Sequence, residues 1–592
     1  MVSHIIIVFI VLLFIVLSLY FEWTGPSFTF LIAVSVLAVF GILTPKEIMS
    51  GFANEQLAVI LLLLLIGDVI RQSSTIERFF DWFFRSSKTY HSFVFRMTLV
   101  VSVMSAFFNN TPLVAIMMPY VDSWSRRNRI SPSKLLIPLS YAAILGGCAT
   151  LIGTSTNLIV NGLLSEQDIL PGLAPLEMFD FSIVGIPMIL IGILYLVFFS
   201  DKLLPDKKDA MGDFQKSNRD YLLQAVVDEG SPLVGKRMND DKLKNLRGLY
   251  MVEIVRGEKH ISAISPETQV LTGDILTFAG DTSTVADLIT QSNSGLRFPG
   301  AEGLVSRKVT QVVEIVISHN STLIGKTVLE ANFRVKYDAA VIAVHRNGER
   351  ISGQITYEKL KAGDALLLYG GQNFIRLSKN SQDFFLITSV LENRKVAPYK
   401  SALVIIGLIA SILLSVFRIV PLFTSLLFLL VFMNVLGICS PKDIYKSLDL
   451  NLAMIIALAL ALGVAMTKTG VAKIIAQSII TMFMPMGVLG LLVGIYLVTS
   501  LMANLITNKA AVALVFPIVL TISRDLHIPP EPLVLLVAFA SAANFMTPIG
   551  YQTNLMVYGP GGYSFKDYTK IGFPLTFLYL IVTVVVLYFV YF

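Results

Sequence analysis

The sequence predicts a polytopic α-helical membrane protein. It would consist of two inverted repeats, each with a re-entrant hairpin and a broken helix, and a cytoplasmic α/β insert of two similar modules between them. Three observations lead there. The chain is too apolar for a soluble protein of its length, four short motifs recur in one order in both halves, and the basic residues fall where membrane topology would put them.

The chain has 592 residues, 55% hydrophobic and 15% charged, with a mean hydropathy of +0.72. Soluble domains carry about 25% charged residues. Apolar runs recur at Ile5–Tyr20, Phe28–Leu43, Leu57–Ile70, Phe181–Phe199, Leu403–Val416, Leu422–Leu436, Leu452–Met466, Val488–Met502 and Leu575–Phe592. Several approach the roughly 17–25 residues that a spanning helix needs. The first run lacks a basic n-region and a small-residue cleavage site, so it reads as a membrane segment rather than a cleaved leader. Two cysteines, Cys148 and Cys439, suggest neither a disulfide framework nor a metal cluster. The six histidines form no ligand set, and the net charge of +6 is mild. No nucleic-acid partner and no enzymatic activity are expected.

The first membrane repeat is placed at residues 1–204. Its segments lie near 4–20, 27–43 and 56–71, followed by a pair flanking Asn109 and Asn110, then segments near 134–164 and 180–200. Residues 97–107 and 112–121 are each too short to span at about 1.5 Å per residue, and so fit a hairpin that enters and leaves on one face. Arg71, Arg78, Arg85, Lys88 and Arg96 precede this pair, and Arg126, Arg127, Arg129 and Lys134 follow it. Two basic flanks place both ends in the cytoplasm. The loop "SEQDILPGLAPLEMFD" has no Lys or Arg, which fits the outside. Asp68 and Arg71 are one helical turn apart and read as a pair near a membrane end. The run "RFFDWFFR" (Arg78–Arg85) reads as an interfacial amphipathic helix.

Between Leu204 and Ser401 the chain turns polar, with strand-like runs and turn signals. "SPLVGK" (Ser231–Lys236) recurs as "STLIGK" (Ser321–Lys326), and "LTGDILTFAG" as "LKAGDALLLYG", at a constant offset (325 − 235 = 90 and 363 − 273 = 90). Two modules follow, at 205–300 and 301–397. Their shared pattern, with Arg256-Gly257 and Arg346-Asn347-Gly348 in the middle, resembles the C-terminal domain of potassium-channel regulators (TrkA-C, or RCK-C). The resemblance implies modules that dimerise and sometimes bind small ligands, a nucleotide among them. It makes Gly235, Lys236, Arg256, Asp274, Gly325, Lys326, Arg346 and Asp364 regulatory candidates. The competing reading is a module of assembly alone.

The second membrane repeat occupies 398–592. "GILTPKEIMSGF" at Gly41 matches "GICSPKDIYKSL" at Gly437 (offset 396), "NNTPLVAIMMP" matches "TNKAAVALVFP" (398), and "LIGTSTNLIV" matches "PIGYQTNLMV" (397). Gly67 and Gly463 keep the offset of 396. The hairpin adds no crossing, so the first half crosses about five times and the second half starts on the opposite side. Lys442, Lys446, Lys566 and Lys570 then fall in cytoplasmic loops. Inverted repeats with discontinuous helices point to a secondary transporter with a midplane site.

Four polar interruptions carry the chemistry: the tips Asn109–Pro112 and Thr507–Lys509, and the breaks Gly146–Asn157 and Ser541–Asn554. Gly and Pro let a helix unwind. The freed carbonyls suit Na⁺, and half-helix N-termini suit an anion. Lys509 is the odd residue, because an intramembrane Lys is costly and functional by default. It either replaces one Na⁺ or contacts the anion, unless it snorkels to water from a shallow tip.

Here the chain resembles the divalent anion/sodium symporter family of the ion-transporter superfamily. Asn110 and Asn508 match the Asn of that family's Ser-Asn-Thr tips. The first tip departs at the Ser, and the second at both the Ser and the Thr. Gly153-Thr154-Ser155-Thr156-Asn157 is similar to the family's G-T-x-x-N element, and Thr547-Pro548 through Thr553-Asn554 is a looser match. The resemblance implies a multi-pass protein of the inner or plasma membrane, homodimeric, with a transport domain moving against a fixed scaffold. It implies Na⁺-coupled uptake of a dianion. The substrate contacts would be Asn109, Asn110, Thr111, Thr507, Asn508, Lys509, Thr154, Ser155 and Thr553. The Na⁺ contacts would be Asn110, Thr150, Gly153, Asn157, Asn508, Thr547 and Asn554. Sulfate is favoured because family members with two such inserted modules resemble sulfate transporters. A dicarboxylate, another oxyanion such as arsenite or silicate, and a permease-fold receptor or ligand-gated regulator are the alternatives. No TVGYG-like filter is present, which argues against a potassium channel.

Overall fold

The protein is seen in a computed structural model that describes residues 2–71, 84, 87, 89–207, 222–237, 249–280, 296–297, 311–386, 398–439 and 450–592, short stretches inside these ranges excepted. The fold is helical, with a β-rich insert. The first half contains α1 (Val2–Tyr20), α2 (Pro26–Val39), α3 (Pro45–Ser50), α4 (Glu55–Arg71), α5 (Tyr90–Ser105), α6 (Asn110–Arg127), α7 (Leu136–Gly147), α8 (Ser155–Ser165) and α9 (Ser182–Leu203). Among the described residues, the insert adds two short helices, α10 (Phe333–Tyr337) and α11 (Phe374–Ser378). The second half contains α12 (Pro398–Val416), α13 (Leu422–Val435), α14 (Leu450–Thr469), α15 (Val471–Phe483), α16 (Gly487–Leu505), α17 (Asn508–Leu526), α18 (Pro530–Ala542), α19 (Gln552–Tyr558) and α20 (Phe565–Tyr591).

Among the described residues, five stretches are long and apolar enough to cross a membrane: Ser3–Tyr20, Pro45–Gly67, Ser182–Leu203, Val471–Leu505 and Phe565–Tyr591. Long helices of this kind satisfy their backbone internally, as lipid requires. Their outward faces carry Ile10, Leu13, Leu190, Phe198, Phe577 and Phe589, all exposed. In water such a surface would be an aggregation liability, whereas in lipid it is solvated.

Helix bounds in the halves keep the offsets of the sequence motifs. α1 and α12 start 396 residues apart (398 − 2), as do α2 and α13 (422 − 26), and α6 and α17 start 398 apart (508 − 110). Packing follows the same exchange. α2 packs on α14 and α4 on α13, α6 on α19 and α17 on α8, and α9 packs on α20. Each arm of the first pair is longer than its apolar run, 16 residues for α5 and 18 for α6, about 24 and 27 Å. The extra turns carry Arg96, Asp122 and Arg127, which apolar-run counting leaves out. Apart from Phe84, the run Arg78–Arg85, the side chains of Asp68 and Arg71, and the motif from Ser440 onward lie outside the described residues. In the second half, the place of the aromatic run is taken by α15, which buries Val471, Ala472, Ala476 and Ile479 on one stripe.

The described residues of the insert form two five-stranded antiparallel sheets. The first has order β3-β2-β4-β1-β5, from β1 (Leu222–Val227), β2 (Leu249–Arg256), β3 (Lys259–Ile261), β4 (Ile275–Gly280) and β5 (Leu296–Arg297). The second has order β8-β7-β9-β6-β10, from β6 (Gln311–Ile317), β7 (Ala339–Arg346), β8 (Glu349–Arg350), β9 (Ala365–Gly370) and β10 (Phe384–Leu386). The order is the same in both, and β2 and β7 break register at equivalent points, Met251/Glu253 and Val341/Ala343.

The motif residues of the insert have local jobs. Arg256 clamps Asp274 through two hydrogen bonds of 2.8 Å and reaches Gln269 O. Arg346 clamps Asp364 and reaches Lys359 O in the same way. Gly235 and Gly325 take φ +77° and +79°, where a side chain would be strained. Their N–H groups donate to Val270 O and Leu360 O. Lys236 and Lys326 supply carbonyls to the same crossings, and the Lys326 side chain is exposed.

Candidate functional site

The site is built where the two pairs of helices and the two breaks converge. In the first half α5 and α6 meet at the turn 106–109. Asn109 stands just before α6 and accepts the Thr111 N–H (3.4 Å), as an N-cap does. In the second half Thr507 caps α17 by accepting from Ala510 N (3.2 Å). Asn110 and Asn508 are therefore both first residues of helices, next to N–H groups that no helix satisfies. Both helices carry an interior proline nine residues later, Pro119 and Pro517.

Asn110 is 1% exposed and fully engaged. Its amide is satisfied with Nδ2 facing Ser105 Oγ (2.6 Å), Ala143 O (3.2 Å) and Gly153 O (3.3 Å), and with Oδ1 accepting from Tyr551 OH (2.9 Å). Tyr551 has then spent its proton, so the 2.9 Å contact to Thr154 is donated by Thr154 Oγ1. Thr111 Oγ1 donates to Gln552 Oε1 (2.9 Å). The first tip is thus bound to the second half's break by two adjacent residues. Gly147 makes room for it, because a Cβ there would lie 2.5 Å from the nearer terminal atom of the Asn110 amide.

Both breaks are stapled in one way. α7 ends at Gly147 and α8 starts at Ser155, and Asn157 Nδ2 reaches back to Thr150 O (2.8 Å) and Gly147 O (3.5 Å). α18 ends at Ala542 and α19 starts at Gln552, and Asn554 Nδ2 reaches back to Asn544 O (2.8 Å) and Thr547 O (3.2 Å). An offset of 397 relates every partner (554 − 157, 547 − 150, 544 − 147). Thr154 and Tyr551 also share it (551 − 154), so their hydrogen bond joins equivalent positions. Thr150 Oγ1 donates to Ala106 O and ties the first break to the first tip. Ser140 joins the halves again, at Asn554 Oδ1 (2.7 Å) and Thr553 Oγ1 (2.8 Å).

The surroundings of the two asparagines differ. Ser105 is replaced by Ala503 (105 + 398), and Gly147 by Asn544. Asn544 is fully buried and donates to Asn508 Oδ1 and to Gly550 O. Lys509, at the position of Thr111, is half-buried. Ser155 and Asn109 line a small cavity of about 60 Å³ with Gly67, Phe107, Leu158 and Leu408.

The expected residues therefore fall into groups. Asn110, Thr150, Gly153, Thr154 and Asn157 come together around the first tip. Asn508, Thr547 and Asn554 gather around Asn544, Thr553 packs on Ser140, and Ser155 and Asn109 face the cavity. Ser105, Ser140, Asn544, Tyr551 and Gln552 belong to the site and were missed by sequence reasoning. The repeat offsets would have found Tyr551 and Asn544, as the counterparts of Thr154 and Gly147. The first group supplies carbonyl, amide and hydroxyl oxygens, hard ligands suited to Na⁺. Asn157 Oδ1 and Asn544 Oδ1 have no hydrogen-bond partner although buried, leaving oxygen available for a cation.

Apolar spanning helices around a buried polar site made from broken helices define a membrane transporter. The comparisons with known proteins agree. The chain belongs to the citrate transporter family, whose sequence model matches residues 10–424 and 403–592. It is 34% identical over 565 residues to a putative sulfur deprivation response regulator of Chlamydomonas reinhardtii, covering 93% of this chain and 96% of that one. An uncharacterized transporter of Synechocystis is 30% identical, covering 97% and 95%. A probable sodium/sulfate cotransporter of Chlamydomonas reinhardtii is 24% identical, covering 93% and 85%.

Proposed function

We propose that this protein is a Na⁺-coupled symporter of a divalent anion, with sulfate as the substrate, working by elevator-type alternating access. The observation that carries the reading is the cluster Asn110–Tyr551–Thr154, in which a helix tip from one half closes on the break of the other. The matched offsets and exchanged packing support two inverted repeats whose tips enter as re-entrant hairpins. In this reading α5–α9 and α16–α20 move as a transport domain against a scaffold of α1–α4 and α12–α14. The protein is a homodimer, and the insert is cytoplasmic and of the TrkA-C type, with a nucleotide as its candidate ligand.

The first-half cluster holds Na⁺. The second half has lost the Ser105 hydroxyl, has Asn544 in the space Gly147 leaves, and carries Lys509. Lys509 takes the place of a second Na⁺, so coupling uses fewer Na⁺ than a two-site transporter. The anion lies between the tips, held by neutral N–H, amide and hydroxyl donors, which suffice for a tetrahedral oxyanion. The names of the sodium/sulfate relatives favour sulfate.

Two further readings have a specific support each. The family description favours a citrate-like carboxylate, and the name of the relative at 34% identity favours a sensor. Uptake of [³⁵S]sulfate into proteoliposomes, with Na⁺ or choline outside and succinate as competitor, separates them. The expected result is Na⁺-dependent accumulation that succinate competes with weakly. Succinate accumulation without sulfate accumulation would move the substrate to a carboxylate, and Na⁺-dependent binding without accumulation would make the protein a receptor.

A further inference from the structure

The insert touches the transport machinery at a place away from its chain connections. In the second module the turn 361–364 before β9 packs on the short helix α19. A Cβ on Gly363 would lie 2.6 Å from Leu555 Cδ1 and 3.7 Å from Tyr558, and a Cβ on Gly559 would lie 3.1 Å from both Ala365 Cβ and Gly363 O. Val316 and Ala365 share the buried core of the membrane helices. The first module has no such contact at the equivalent glycine, since a Cβ on Gly273 would meet nothing within 4 Å.

The other end of the same helix carries the site. Gln552 receives Thr111, and Tyr551 joins Asn110 to Thr154. α19 is 7 residues long, about 10 Å, so one rigid piece is held by the first tip at its start and by the second module at its end. The chain beyond this module leads into α12, which packs on α4 and α13. The module therefore joins the group that holds the site to the group that faces it, and their relative motion has to pass through this contact.

We propose that the docked second module is a brake on α19, and that each transport cycle requires the 361–364 turn to separate from Leu555 and Gly559. The inference rests on the transport reading only for its flux measurement. The test is the double variant Ala365→Cys with Gly559→Cys in the full chain. The Cβ separation of 3.1 Å is a few tenths of an ångström below the roughly 3.5–4.5 Å of a disulfide, so a small local shift brings the two cysteines into bonding range. A mild oxidant is expected to close the bond and lower sulfate uptake at least tenfold. A reductant should restore it, and the single variants should respond to neither. Failure of the bond to form, or its closure with unchanged uptake, overturns the brake. If the reduced double variant and the unaltered protein both move no sulfate, the transport reading has failed, and the brake is judged by disulfide closure alone. Adding Tyr551→Phe is then expected to change the closure rate at least threefold, because it frees the far end of α19. An unchanged rate overturns the proposal.

Discussion

Asn110 and Asn508 stand at matching first positions of α6 and α17, yet only Asn110 has a serine hydroxyl, a glycine gap and a tyrosine from the other half. Tyr551→Phe removes the group that Asn110 Oδ1 accepts from. An unsatisfied buried polar group costs about 1–3 kcal/mol of stability, so Tyr551→Phe should lower the thermal unfolding midpoint in detergent, and Na⁺ should restore part of the loss if the freed oxygen binds it. Lys509→Ala is expected to change the Hill slope for Na⁺ or the substrate affinity, and unchanged values of both would remove Lys509 from the mechanism. Much of this site was legible, because Asn, Thr and Gly between apolar runs are costly unless they have work to do. Tyr551 and Ser105 were not, because a tyrosine or serine in such a run also reads as core. The sequence carries the repeat from which Tyr551 follows, but only as the counterpart of a threonine.

Elements show how the polar interruptions are made rigid. Gly572 of α20 packs so closely on the second break that a Cβ would lie 2.1 Å from Phe545 O, which is backbone and cannot swing away. Gly572→Ala should lower the thermal unfolding midpoint in detergent, whereas Gly463→Ala, with nothing within 4 Å, should not lower it. In the second module Asp383 is buried, which pushes its pKa up, but hydrogen bonds from Lys336, Tyr337 and Thr322 outweigh this and hold it below the usual carboxylate range. A lowered folded-state pKa adds stability above the unfolded value, near 3.9, and loses it as pH falls further. Unfolding of the insert should therefore steepen below about pH 4, and Asp383→Asn should flatten that dependence while destabilising the module by about 1–3 kcal/mol. Asn293 stands at the equivalent place in the first module (383 − 90), so the effect belongs to one module. Most of the long helices and both breaks were readable from apolar run length and Gly/Pro punctuation, whereas α3 and α15 fall in none of the apolar runs. The lengths of α5 and α6 were not, because their outer turns are polar and helix propensity carries them past the apolar run.

At the scale of the whole molecule, a transporter of the citrate family follows from the chain's match to that family, and its apolar helices agree. What the sequence left open is the anion. In the proposed site, neutral donors at two helix starts would suit a sulfate or a carboxylate pair alike, and the described residues of the two tips include no arginine to distinguish them. The docking of the second module on α19 was equally hidden, since it depends on two glycines, Gly363 and Gly559, that each look like ordinary turn residues. The central claim is that one site between the two tips couples Na⁺ to the anion. The most direct measurement is sulfate-stimulated entry of labelled Na⁺ into proteoliposomes holding the unaltered protein, Asn110→Ala or Asn508→Ala. Sulfate is expected to accelerate Na⁺ entry in the unaltered protein and to do so at least tenfold less in either variant. Sulfate entry without Na⁺ entry, or full Na⁺ coupling in both variants, would contradict it.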